Sequence, residues 1–128
     1  MNQALSYKIV QLGRNRTVAL GLTCLLAAVI AAATLTPQTA LTTGPAGVDK
    51  VYHAAAFAGL MLPTATWRPN ALIWMIPAAL LFGGVIEVIQ PLVGRSADIG
   101  DFIADAVGVL AGTAVGIPLR RGLMRSST

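Results

Sequence analysis

The sequence predicts an all-α membrane protein, a compact bundle of four transmembrane helices with both termini cytoplasmic. Three observations lead there. Of the 128 residues 55% are hydrophobic and only 11% charged, against about 25% charged in a soluble domain, so lipid must solvate most of the surface. The apolar residues fall into four runs separated by short polar punctuation. The basic residues flank those runs, so a net charge of +4 and a pI near 10.0 read as topological rather than as a nucleic-acid footprint. At this length a single domain, residues 1–128, is expected, and no nucleic-acid partner.

The first span is residues 18–35, the apolar part of an uncharged stretch from Thr17 to Val48, about long enough to cross ~30 Å of hydrocarbon as a helix. Its basic approach and Ala31-Ala32-Ala33 have the look of a secretory signal, but the run is longer than a signal core, which favours a retained span. Cys24 lies in mid-span as a small apolar filler. As the only cysteine it excludes an internal disulfide. Thr36 to Val48, rich in Thr, Gly and Pro, is the one loop long enough to fold over a surface.

The second span, 51–67, contains His53 and is closed by Arg68-Pro69-Asn70, a tight link to the third. That third span, 71–93, carries Glu87. After Gly94-Arg95-Ser96 the fourth, 99–119, carries Asp101 and Asp105 and ends in a basic tail of Arg120, Arg121 and Arg125. Trp67 and Trp74 stand where interfacial anchors belong.

Four spans put both termini on one side. Lys8, Arg14, Arg16, Arg68, Arg120, Arg121 and Arg125 lie on that side, against Lys50 and Arg95 on the other, so the positive-inside rule makes the terminal side cytoplasmic. All five acids, Asp49, Glu87, Asp98, Asp101 and Asp105, and the only histidine fall on the opposite side. The basic termini are expected to touch membrane lipid.

At 1.5 Å per residue His53 lies roughly 6 Å below the start of its helix, and Glu87 and Asp105 about 6 to 9 Å below the ends of theirs. Ionisable groups at that depth normally face the bundle interior and pair. Spacing agrees with this. Asp49, His53 and Phe57 share a stripe at i, i+4; Asp98, Asp101 and Asp105 share one at i, i+3, i+7; Glu87, Gln90 and Gly83 share a third. Below Asp105, Gly108, Gly112 and Gly116 recur every fourth position, which lets a neighbouring helix approach closely. One inward nest of Asp49, Lys50, His53, Glu87, Gln90, Arg95, Asp98, Asp101 and Asp105 is the economical arrangement.

Asp49-Lys50-x-x-His53-x-x-x-Phe57, then Glu87-x-x-Gln90, then Gly94-Arg95-x-x-Asp98-x-x-Asp101-x-x-x-Asp105-x-x-Gly108-x-x-x-Gly112 resembles the VanZ-like family of small bacterial membrane proteins, over roughly residues 48–116. One difference is Asp105, where members of the family commonly have Asn; it adds a negative charge. The resemblance implies a multi-pass protein of the bacterial inner (plasma) membrane. The family's namesake is associated with low-level resistance to the glycopeptide teicoplanin, and most relatives have no assigned activity.

Each nest residue has a plainer reading beside the functional one. Asp49 and Asp98 stand where helix N-caps belong. Asp101 and Arg95 suit an interfacial ion pair, and His53 suits a satisfied buried pair with Glu87 or Asp105. Two helices beginning beside Lys50 and Arg95 could dock phosphate or carboxylate, yet five acids against two bases repel a bare anion. That leaves a metal-bridged anion or a purely internal network. No cofactor motif is present and none is expected; a divalent ion on His53 and carboxylate oxygens is the one addition the residue types allow. A buried histidine among carboxylates could also activate water, although Ser96 is the only serine near and lies in a turn. The favoured expectation is a protein that binds, or acts at, a lipid head group or envelope precursor outside the membrane. The alternative is an accessory subunit packed on a larger membrane complex through Ala27, Ala28, Ala31 and Ala32.

Overall fold

The computed structural model describes residues 3–37, 45 and 47–125, with side chains for 11, 15–37, 45 and 47–123. The expected loop from Thr36 to Val48 falls mostly outside the described residues, as do the side chains of Lys8, Arg14 and Arg125. Four helices follow one another: α1 (Gln3–Leu35), α2 (Val48–Trp67), α3 (Leu72–Ile89) and α4 (Ile99–Arg125). Two of them outrun the apolar stretches that predicted them. α1 starts at Gln3 rather than residue 18 and α4 continues to Arg125 rather than 119, because their basic flanks contain good helix formers and nothing that breaks the ladder beyond isolated glycines.

Both short connections are as tight as their residues suggest. Arg68 closes α2 by donating its N–H to the Thr64 carbonyl at 2.8 Å, and a 3₁₀ turn at Pro69–Ala71 leads into α3. The third run ends as a 3₁₀ turn, Gln90–Val93, capped by Gly94 at φ 78°. That left-handed conformation costs glycine no side-chain clash. The Arg95 N–H then reaches the Gln90 carbonyl at 3.0 Å, and the chain reverses into α4.

α2 and α4 are parallel neighbours. Lys50 is level with Asp98 and Asp101 at one end, and Arg120 donates to the Thr66 carbonyl at the other. α3 runs antiparallel to both, and α1 ends beside it, with Gln90 donating to the Thr34 carbonyl. The glycine stripe explains the α2–α4 contact. A Cβ on Gly108 would strike the Ala54 carbonyl oxygen, one on Gly112 the Ala58 carbonyl oxygen, and one on Gly116 the Ala65 side chain. Backbones this close gain dense van der Waals packing, the main attraction available between helices in lipid.

The core surrounds α2, whose Phe57, Leu60, Met61 and Ala65 are at most 1% exposed. Ile86 and Ala79 of α3, Val109 of α4 and Ile30 of α1 complete it. Among the described residues three segments can cross a membrane by length and composition: Asn15–Leu35, Pro69–Val93 and Ile99–Leu123. α2 falls short on composition, because Asp49, Lys50, His53, Thr64 and Thr66 dilute its apolar residues. It covers the same depth all the same, since it matches α4 level for level from Lys50 to Thr66. Around it, Leu25, Val29, Leu81, Val88, Leu110 and Val115 project outward, as lipid-facing residues do. Trp74 is exposed at the end away from the nest, in keeping with its expected anchoring role.

Candidate functional site

The first turns of α2 and α4 lie side by side at the nest end, and Lys50 bridges them. Its Nζ donates to Asp98 Oδ2 at 2.5 Å and to Asp101 Oδ1 at 3.2 Å, with Asp49 Oδ2 at 4.0 Å. The Asp98 hydrogen bond, reinforced by Asp101, holds the Lys50 ammonium well above its ordinary pKa. Lys50 and then the Gly100 N–H hold Asp98 below the usual carboxylate value. Gly100 is what admits this bridge, because a Cβ there would lie 2.6 Å from Lys50 Cε.

Asp98 is the helix cap its position suggested. Its carbonyl accepts from Asp101 N–H at 2.9 Å and its Oδ1 from Gly100 N–H at 2.7 Å, satisfying donors that open α4. Asp49 is not a cap. Gly47 takes that place at φ 86°, without a side-chain hydrogen bond, and Asp49 sits exposed in the first turn. A carboxylate there still faces the positive end of the helix dipole.

One turn deeper, His53 faces a carboxylate on each ring nitrogen: Nδ1 is 2.8 Å from Asp105 Oδ1 and Nε2 is 3.7 Å from Asp101 Oδ2. An ionised Asp105 can only accept, so Nδ1 carries the proton of that bond. Glu87 closes the site from α3, its Oε2 accepting from the Asp98 N–H at 2.9 Å. His53, Glu87 and Asp105 each offer one ligand-type atom, and these lie within 4.8 Å of one another. The floor is aromatic, with Phe57 and Phe82 ring centroids 5.9 Å apart. Gly83 makes the depth accessible to a carboxylate, since a Cβ there would sit 2.8 Å from Asp105 Oδ2 and 3.4 Å from the Phe57 ring.

Three buried oxygens of the nest have no hydrogen-bond partner among the described residues: Glu87 Oε1, Asp105 Oδ2 and Gln90 Oε1. Asp105 and Gln90 are at most 1% exposed, and an unsatisfied buried acceptor costs about 1–3 kcal/mol. Gln90 uses its amide N–H to reach α1, at 3.4 Å from the Thr34 carbonyl. Arg95 departs from expectation. Rather than pairing with Asp101, it donates to the Thr36 carbonyl at 3.4 Å, because Lys50 already occupies the side of Asp101 that faces α2. The structure thus gathers Lys50, His53, Glu87, Asp98, Asp101 and Asp105 into one network, with Gln90 beside it and Asp49 and Arg95 at its rim.

Two features escaped sequence reasoning, the first being the Lys50 bridge together with the Gly100 that admits it. Gly100 carries no periodic signal of its own. The pairing of Lys50 with Asp98 and Asp101 was in principle accessible, because one antiparallel helix between α2 and α4 makes those two parallel and so sets these residues level. The other is a groove of about 470 Å³ on the α3–α4 flank, lined by Gly84, Glu87, Val88, Pro91, Ala97, Ile99 and Phe102. Apart from Glu87 that lining is apolar or backbone, and Glu87 joins it to the nest.

No curated protein and no solved structure matches the chain. A family model described as VanZ/LLP1 does, over residues 5–120, a stretch that takes in every residue of the nest and the groove. With four helices among the described residues, His53, Gln90, Asp101 and Asp105 buried together at one end, and a family match over nearly its whole length, this integral membrane protein belongs to the VanZ/LLP1 family.

Proposed function

We propose that the nest receives the polar head group of a membrane lipid or lipid-linked envelope precursor at the outer leaflet of the bacterial plasma membrane, while the groove beside it takes part of the lipid chain. The observation that carries this reading is the double position of Glu87, which lines the apolar groove and at the same time stands within the cluster of His53 and Asp105. A lipid has that same combination of chemistry, an apolar chain continuous with a polar group. The outward orientation rests on basic residues, seven at the terminal side against Lys50 and Arg95 beside the nest. A site facing outward is where exposed envelope precursors are found, in keeping with the glycopeptide association that the family resemblance implies. Ser96 lies in the α3–α4 turn, and the reading is one of binding, with no covalent step.

Photo-crosslinking in nanodiscs tests it. A phospholipid with a photoreactive acyl chain is expected to label Phe102 and Val88, and Gly84→Leu, which fills the groove, is expected to cut that labelling about tenfold. Labelling spread evenly over the exposed faces of α1 and α3, unchanged by Gly84→Leu, would remove the reading. A reporter fused to the C-terminus is expected to be active only in the cytoplasm.

The accessory-subunit reading draws on α1, where Ala28 and Ala32 are exposed while Ala27 packs on the core. Bulky substitution at Ala28 that disperses a native membrane complex without touching lipid labelling would favour it.

A further inference from the structure

We propose that His53, Glu87 and Asp105 form a binding site for one divalent transition-metal ion of the zinc or manganese class. The inference rests on the reading of the nest as a binding site and names the ion that makes an acidic nest able to hold a phosphate-bearing head group.

Convergence is the first support. The three residues come from three different helices, α2, α3 and α4, and still bring ligand-type atoms within 4.8 Å of one another. The second support is independent of that clustering. Asp105 is 0% exposed, yet its Oδ2 has no partner among the described residues, and neither does the buried Glu87 Oε1. Oxygens of this kind need either protons or a cation. Charge gives the third. Lys50 brings one positive charge to Asp98 and Asp101 together, so Glu87, Asp105 and the Asp101 oxygen facing His53 leave the site net negative, which a divalent ion offsets. Finally, each His53 ring nitrogen faces a carboxylate. Asp105 holds the ring through Nδ1, as a second partner commonly holds a histidine ligand. A donor set of one imidazole and carboxylates suits zinc or manganese better than calcium or magnesium, which prefer oxygen alone.

The bound ion would offset most of the net negative charge that five acids against Lys50 and Arg95 leave on the nest. Without it the acids repel phosphate; with it a phosphate oxygen can complete the coordination shell.

The full chain, purified in lipid-free detergent and stripped with a chelator, is titrated with zinc, manganese and cobalt. Elemental analysis reads the stoichiometry and cobalt absorption reads the ligand field. Uptake of about one ion per chain is expected, with affinity lowered about tenfold or more by Glu87→Gln or Asp105→Asn and unchanged by Leu25→Ala on the exposed face of α1. Glu87→Gln preserves shape, so it decides the matter if His53→Ala fails to fold. A folded wild-type protein that takes up protons but no metal overturns the site, as does Glu87→Gln binding metal as tightly as wild type. Metal uptake without lipid labelling leaves this site standing and removes the head-group reading. Lipid labelling without metal uptake does the reverse.

Discussion

α1 and α2 answer the same membrane in opposite ways. α1 holds the most apolar of the three candidate spans, yet only 11% of its window is buried in protein. α2 is too polar to be counted among those spans, yet it supplies His53 and, among the described residues, more of the buried side chains than any other helix. Hydropathy therefore marks where a helix meets lipid and says little about where it meets protein. In water apolar residues are driven inward. In a bilayer the outside is apolar too, so the interior is selected by close fit and by polar groups that need partners.

Glycine substitution provides the largest test of this contrast. Gly112→Leu is expected to cost more than ~3 kcal/mol and to abolish a cooperative melt in detergent, since even a Cβ would strike the Ala58 carbonyl. Gly21→Ala on α1 is expected to be neutral or to stabilise by up to about 1 kcal/mol, because a Cβ there meets nothing within 4 Å. Equal losses at the two positions would break the comparison.

Leucine truncation sharpens it further. Leu60→Ala on α2, at 1% exposure, is expected to cost about 2–5 kcal/mol. Leu25→Ala on α1, at 59% exposure, is expected to stay within ~0.5 kcal/mol by the same thermal-shift assay.

His53→Ala strips Asp105 of its partner and is expected to cost about 1–3 kcal/mol. The double variant His53→Ala/Asp105→Ala should cost less than the sum of the two single changes. Additive losses would mean that the pair is not coupled.

The smallest effect belongs to the Lys50–Asp98 bridge. Asp98 titrates below its ordinary value, so its contribution to stability is present above the unfolded carboxylate pKa, about 3.9, and disappears as pH falls through the lower folded value. Lys50 titrates above its ordinary value, and its contribution is lost only in strong alkali. The bridge is thus intact across the physiological range. A melting profile from pH 7 to pH 3 should fall slightly, and Asp98→Asn should flatten that fall.

Much of this molecule was legible in its residues. Helix number and the two tight turns followed from Pro and Gly between apolar runs, and the depth of His53, Glu87 and Asp105 followed from the rise of a helix. The Asp98 cap was legible for the same local reason. Asp49 was misread as a cap because Gly47, two residues earlier, already opens α2. Arg95 was assigned to Asp101 because it is near in sequence, whereas Lys50, about fifty residues away along the chain, is near in space.

By itself, then, the sequence determined which segments meet lipid, where the chain reverses and at which end the charges collect, because these depend on composition and on the fixed rise of a helix. Helix packing chose which carboxylates Lys50 and His53 take, which oxygens are left without a donor, and that a groove opens beside Glu87. Those outcomes depend on how far each helix rotates and how closely it approaches its neighbours. Gly83, Gly100, Gly108 and Gly112 set those approaches through contacts with residues remote in sequence.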